Sequence, residues 1–365
     1  MSTKIRATAN PDKVNRRITF FLFMRRKMPK TFLLSIMVFL MSLNLVAQEN
    51  NSPKTRKVQV TFAFPIGSNG TSSLEYSNNF SFNILYGLNG GVNGVEIGSI
   101  LNYNKGEVRG FQLSGVSNIN TGYSGGLLLS GVSNISMDST SGLFVSGVLN
   151  YSKQKAKGFQ LATTNINADE FTGFQLGVFN YAKKLKGVQL GVINFLLDGS
   201  ESLPVGIFSI VKNGHFEFEL TGGEVIYSNL NYKMGVESFY TIYKAGYSSY
   251  KNNPVYSFGL GFGGNISITP KQKISIDLSA NQIVYNNKWE GSSNMLSKAD
   301  FNYRYSVSGK LSLLIGPSFN VYVTEEQVDG EYGTLNIPYS VYTNEWSSGK
   351  LFMWLGLNAG LSLKL

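Results

Sequence analysis

The sequence predicts an all-β protein in which a glycine-rich repeat region is combined with an antiparallel, outer-membrane-type β-barrel. Three observations carry that expectation. A glycine-led motif returns at a nearly fixed step between residues 94 and 209. After residue 216 the step disappears and long segments alternate apolar with polar residues. The composition, with 40 Gly, 20 Tyr and 25 Phe but only 9 Pro, is that of many strands joined by turns.

The repeat is read first, because a constant period signals a stacked or arrayed architecture. Gly94, Gly110, Gly126, Gly142, Gly158, Gly173 and Gly187 open copies of a G-x-Q-L-x-G-V-x-N pattern, spaced 16, 16, 16, 16, 15 and 14 residues apart. A degraded eighth copy, SLPVGIFS, starts at Ser202. In the compact copies Phe174, Leu176 and Val178 keep one parity. In the longer copies Ser114, Ser130 and Ser146 are inserted and shift Val116, Val132 and Val148 to the other parity. A straight strand that gains one residue turns its later side chains to the opposite face. A corner or bulge absorbs the same insertion. Each copy therefore reads as two short strands around a corner, one coil of a parallel β-solenoid. Stacked in register, Asn102, Asn118, Asn134, Asn150, Asn165, Asn180 and Asn194 would form a ladder, with the glycine column at a tight turn where positive φ suits glycine. The competing reading makes each copy one barrel strand. Each copy offers only about three apolar residues on one face, against about five for a membrane-crossing strand.

The tail carries the barrel expectation. Segments 223–232, 236–247, 255–268, 274–281, 303–315, 319–324 and 351–365 read as strands. Leu351, Met353, Leu355, Leu357, Ala359, Leu361, Leu363 and Leu365 share one face of the last of them. An apolar face this long, opposite Ser, Asn, Gly and occasional charge, fits a wall that faces lipid outside and a polar lumen inside. Asp277, Arg304, Lys310 and Lys364 would then face the lumen. With alternating segments at 58–66 and 80–86, the strand count reaches 8 to 10, enough to close a small barrel.

The beginning of the chain reads as a leader. Arg25, Arg26, Lys27 and Lys30 precede an apolar run, Thr31–Val46, and Ala47 offers a cleavage site, so a signal peptide is expected over residues 28–47, with Met28 the more ordinary start. Of 32 basic and 22 acidic residues, nine bases and one acid lie before residue 48, so the folded part is nearly neutral. That argues against a nucleic-acid partner, which needs a basic face on the folded protein. The absence of cysteine removes disulfides and thiolate sites and is compatible with an oxidising compartment. The expected organisation is a leader over 1–47, N-terminal strands over 48–93 that join the barrel, repeats over 94–212 and the barrel over 213–365.

Candidate chemistry is sparse. His215 is the single histidine, and no G-x-S-x-G elbow accompanies it. The glycines from Gly259 onward echo a phosphate loop, but no helix follows to receive a phosphate. Asp169 and Glu170 are neighbours at a turn tip. Glu325, Glu326, Asp329 and Glu331 form an acidic loop that could bind calcium weakly. The sequence thus assigns no catalytic, cofactor-binding or metal-ligating residue, and no cofactor.

The repeat copies, the degraded PVGIFSIVKNG and the long alternating strands resemble a family of bacterial surface-repeat proteins of Gram-negative outer envelopes, generally without an assigned activity. The resemblance implies an exported, non-enzymatic protein of the cell outer membrane, partnered by outer-membrane lipid and an unknown extracellular ligand. Gln112, Gln160, Gln175 and Gln189 hold the family's glutamine position, whereas Glu96, Leu128 and Phe144 depart from it. A secreted or peripheral adhesin-like binding protein is the alternative expectation. A small barrel enzyme or pore acting on lipids or solutes, with His215 as base, is a further one.

Overall fold

The computed structural model describes residues 53–289 and 292–365, so the leader and its expected signal peptide lie outside the described residues. The described chain is almost all β, and it divides its strands between a stacked parallel region and a closed antiparallel barrel.

The repeats are solenoid coils. Gly94 pairs with Gly110, Gly110 with Gly126, Gly126 with Gly142, and so on to Gly187, all parallel and in register. In a 16-residue coil one strand runs Val108–Ser114, the chain turns at Gly115 and Val116, and a second runs Ser117–Asn120. Ser114 is buried at that corner while Val116 points outward, so the extra residue is absorbed there, as the parity shift predicts. The glycine column departs from expectation. Its glycines lie within the first strand of each coil rather than at a tight turn, with φ between +110° and +146°. A Cβ on Gly126 would lie 2.0 Å from the carbonyl oxygen of Gly110, so both backbone conformation and close approach of coils demand glycine.

The expected ladder is present. Asn102 Nδ2 donates to Asn118 Oδ1 at 2.9 Å, Asn118 to Asn134 at 2.8 Å and Asn134 to Asn150 at 3.0 Å, continuing through Asn165 and Asn180 to Asn194. The second amide proton of each reaches a backbone carbonyl of the next coil, such as Asn118 to Leu129 O at 2.8 Å. From Asn102 to Asn180 both amide N–H groups of each rung are thereby used, as a buried polar group requires.

The segments at the N-terminal end correct the expectation that residues 48–93 join the barrel. Lys54–Ala63 and Tyr76–Asn89 pair parallel with each other, and the second pairs with the first repeat, Val95 beside Phe80. They extend the coil stack. The physical reason is the open edge of the first repeat coil, whose backbone groups need partners. A short antiparallel return at Ile66–Gly67 then covers part of the outermost strand.

The barrel has eight strands: β1 (His215–Gly223), β2 (Ser228–Val236), β3 (Phe239–Tyr250), β4 (Asn253–Thr269), β5 (Gln272–Tyr285), β6 (Asn294–Ser306), β7 (Leu311–Thr324) and β8 (Gly349–Lys364). Neighbours pair antiparallel, and β1 pairs with β8, Glu217 opposite Lys364, to close the cylinder. The expected strand over 303–315 is instead a hairpin, β6 and β7 joined at residues 307–310. There the Ser308 hydroxyl accepts from the backbone N–H groups of Lys310 and Leu311. The connections after β2, β4 and β6 are short, whereas β7 and β8 are joined by residues 325–348 at the other end.

The last coil sits against the barrel. Val211 and Leu196 inside the coil pack with Val236 of β2 and Phe239 of β3. Phe208 stacks on Tyr243 with ring centroids 5.9 Å apart, and Thr241 Oγ1 donates to Gly206 O at 2.6 Å.

Candidate functional site

The lumen is where the barrel concentrates charge, and strand alternation puts it there. With Phe218, Leu220, Leu230, Leu260, Leu278 and Leu361 turned out and exposed, the opposite parity of each strand turns in. It brings Glu217 and Glu219 from β1, Lys233 from β2, Lys244 from β3, Asp277 from β5, and Lys298, Asp300 and Arg304 from β6, four acids and four bases.

They are mutually paired. Arg304 donates to both Glu217 and Glu219, with Nη1 2.9 Å from Glu219 Oε2, and to the Ser362 hydroxyl at 2.9 Å. Lys233 Nζ lies 2.8 Å from Glu219 and 2.7 Å from Asp277. The Tyr240 hydroxyl donates to Asp277 at 2.7 Å. Lys244 and Lys298 face Asp300 at 3.4 and 3.5 Å. A buried charge without a partner is very costly, so equal numbers of either sign in contact are what makes this interior tolerable. The glycines that echo a phosphate loop have a different purpose. Gly259, Gly261 and Gly263 face the lumen, and a Cβ on any of them would collide with Asn281, Ser279 or Asp277.

Both ends of the lumen are filled. At the short-turn end Glu237, in the β2–β3 turn, lies 3.0 Å from Lys273 and 3.2 Å from Lys364 and accepts from Asn265 at 2.9 Å. His215 stacks on Tyr240 at 4.9 Å, with Nε2 3.3 Å from Glu217 and Nδ1 3.5 Å from Glu237. Burial works against the charged form of Glu237. Its contacts with His215, then Lys273 and Asn265, outweigh burial and hold the carboxyl well below the usual glutamate range. A cleft of about 380 Å³ opens over this cluster, lined also by Lys271, Lys310 and Ser312. At the long-loop end Trp354, Tyr322, Leu296, Ile283 and Val255 form an apolar cluster, and Leu335 from the 325–348 loop caps it. Glu224 accepts from the Trp354 indole at 2.7 Å, between the two layers.

The structure places the weighed residues as follows. Asp277 and Arg304 are in the lumen, and Lys364 is at its short-turn end, as expected; Lys310 lies in the turn after β6. His215 is buried between carboxylates rather than beside a hydroxyl. Asp169 and Glu170 face Lys183 and Lys186 of the next coil at 3.8 and 3.9 Å. In the acidic loop Asp329 faces Lys251 at 2.9 Å, Glu325 accepts from Ser293 N and Glu326 from Asn294. Among the described residues no three acidic, histidine or cysteine side chains are grouped to hold a metal. Sequence reasoning did not find Glu96, whose buried carboxylate accepts from four amides, Asn83, Asn89, Asn104 and Gln112. Its signal was present: Glu96 is the charged member of the glutamine column.

No protein-family model and no curated protein matches the chain. Among solved structures, one described as "De novo design of transmembrane beta-barrels" is similar at 12% identity, covering 42% of this chain and 96% of that one, with a TM-score of 0.25.

Proposed function

We propose that this is an exported, non-enzymatic outer-membrane protein, anchored by a closed eight-stranded barrel that carries the β-solenoid. The observation behind this reading is the inversion of the barrel. Its outer wall is apolar over all eight strands, with Leu260, Leu278, Ile315 and Leu357 each about half exposed or more, while its charges are inside. In water that arrangement is unfavourable at every position; in lipid it is the arrangement that satisfies both surfaces. The filled lumen speaks for an anchor rather than an open pore, and the carboxylates around His215 leave it without the hydroxyl partner that nucleophilic catalysis needs.

Membrane fractionation with an alkaline wash tests the reading. The protein is expected to stay with the membrane and to change gel mobility on heating. Recovery in the wash would overturn it. An extracellular ligand and a signal peptide over 28–47 belong to the same proposal, the second checked by the N-terminal residue of the mature protein.

A further inference from the structure

The solenoid is built the wrong way round for water. Its interior carries a large polar share: the asparagine ladder, Gln112, Gln160, Gln175 and Gln189 are all buried, beside apolar residues such as Leu128, Phe144, Phe171 and Leu185. Its outside is apolar. On the first strand of each coil the columns beginning Val95, Phe111, Leu127 and Ile97, Leu113, Leu129 point outward. So do Tyr103, Ile119 and Tyr151 on the second strands of their coils, whereas Ile135 in the same column is buried. At the corner Ile100, Val116, Val132, Val148, Val178, Val192 and Ile207 are 39–52% exposed. Charge is confined to the opposite edge. Between residues 94 and 211 every Lys, Arg, Asp and Glu except the buried Glu96 lies between the ladder segment of one coil and the leading glycine of the next, or Ser202 in the degraded copy, some of them, such as Arg109 and Lys157, at the start of the first strand. Aromatic rings sit there too, Arg109 lying over Tyr123 at 4.8 Å.

Each coil is thus a slab with two apolar faces, an apolar corner and one charged edge. From Phe111 to the corner at Gly115 the first strand is about 13 Å deep at ~3.3 Å per residue, within the ~15 Å hydrocarbon depth of a single leaflet. The last coil gives the orientation. Its corner lies against Tyr243, partway up the outer wall of β3, and its tip side packs on Val236 and Phe239 at the short-turn end. The apolar corner therefore points toward the middle of the barrel wall, and the charged edge lies level with the short turns. The stack of Phe208 on Tyr243 joins the apolar surface of the last coil to the outer wall of the barrel.

Resting on the membrane reading of the barrel, we infer that the solenoid is itself embedded in one leaflet, corner inward and charged edge at the headgroups. Its partner is lipid hydrocarbon, on the periplasmic side, since short turns face the periplasm in such barrels. The ladder and the glutamine column then have a physical reason. They satisfy polar groups inside coils surrounded by lipid, where no water is at hand.

The chain has no cysteine, so single cysteines carrying an environment-sensitive fluorophore report position directly. The full chain is reconstituted in phosphatidylcholine–phosphatidylglycerol vesicles with Val132→Cys or Val148→Cys at the corner, Lys155→Cys at the charged edge and Leu278→Cys on the barrel wall. The corner labels are expected to lose fluorescence to chain-labelled doxyl lipid as strongly as the Leu278→Cys label, while the Lys155→Cys label is quenched by aqueous iodide. If the corner labels answer to iodide while Leu278→Cys answers to lipid, the barrel reading stands and the embedded solenoid fails. Iodide quenching of Leu278→Cys overturns both. Corner labels shielded from both quenchers would mean that a second copy covers that surface, which also overturns the inference.

Discussion

Arg304 of β6 reaches across the lumen to Glu219 of β1 at 2.9 Å, tying together strands that are not neighbours in the barrel wall. The same guanidinium takes Glu217, and Glu219 in turn takes Lys233. The eight charges form linked groups, so removing one strands others.

Arg304→Met is expected to leave Glu217 and Glu219 without their shared cation and to destabilise the barrel by about 3–5 kcal/mol, the usual cost of breaking a buried pair from one side. The measurement is the urea midpoint of the folded, heat-modifiable gel band. An unchanged midpoint would contradict the network's structural role.

Filled at both ends, the lumen is expected to pass no steady ionic current. Planar-bilayer recordings of the purified protein should show no reproducible open step at neutral pH. A stable conductance shared by independent preparations would mean that the 325–348 loop or the Arg304 layer opens.

Gly126→Ala places a Cβ 2.0 Å from Gly110 O at a φ of +110°, whereas nothing lies within 4 Å of a Cβ on Gly309. Gly126→Ala is expected to cost more than the ~1–3 kcal/mol of backbone strain alone. Gly309→Ala should be nearly silent. Limited proteolysis of the repeat region compares the two.

Asn134→Ala removes the acceptor used by Asn118 and the donor that reaches Val145 O at 2.9 Å and Asn150 at 3.0 Å. Each group left buried without a partner costs about 1–3 kcal/mol. The thermal midpoint should fall further than for Thr121→Ala, an exposed change at the charged edge of the same stack.

Acid should act at the short-turn end. Glu237 has its folded pKa depressed from the ordinary 4.5, so it contributes stability that is fully present above that value. That contribution is lost as pH falls below 4.5 toward the folded pKa. Glu237→Gln is expected to lower stability between pH ~6 and ~8 and to flatten the acid side of the stability–pH curve, so that the difference from the parent protein shrinks as pH falls. An acid limb of equal slope in the variant would place the titration elsewhere.

Much of this was legible in the residues. The parity shift at Ser114, Ser130 and Ser146 marked a corner, and the eight-residue apolar face ending at Leu365 marked a barrel wall. The hairpin inside 303–315 was hidden because Val307 and Leu311 carry the apolar alternation through a four-residue turn. The attachment of 54–89 to the coils was hidden because period-2 alternation looks the same in a barrel strand and in a coil strand.

The sequence by itself determined the repeat, its parallel register, the long alternating strands and the segregation of charge to one edge of every coil, all of which depend on spacing along the chain. For the barrel the sequence also pointed to the parity that turns inward; for the coils only the tertiary structure decided it. A pleated strand offers both faces equally, and closure of each coil turned Gln112 inward and Phe111 outward.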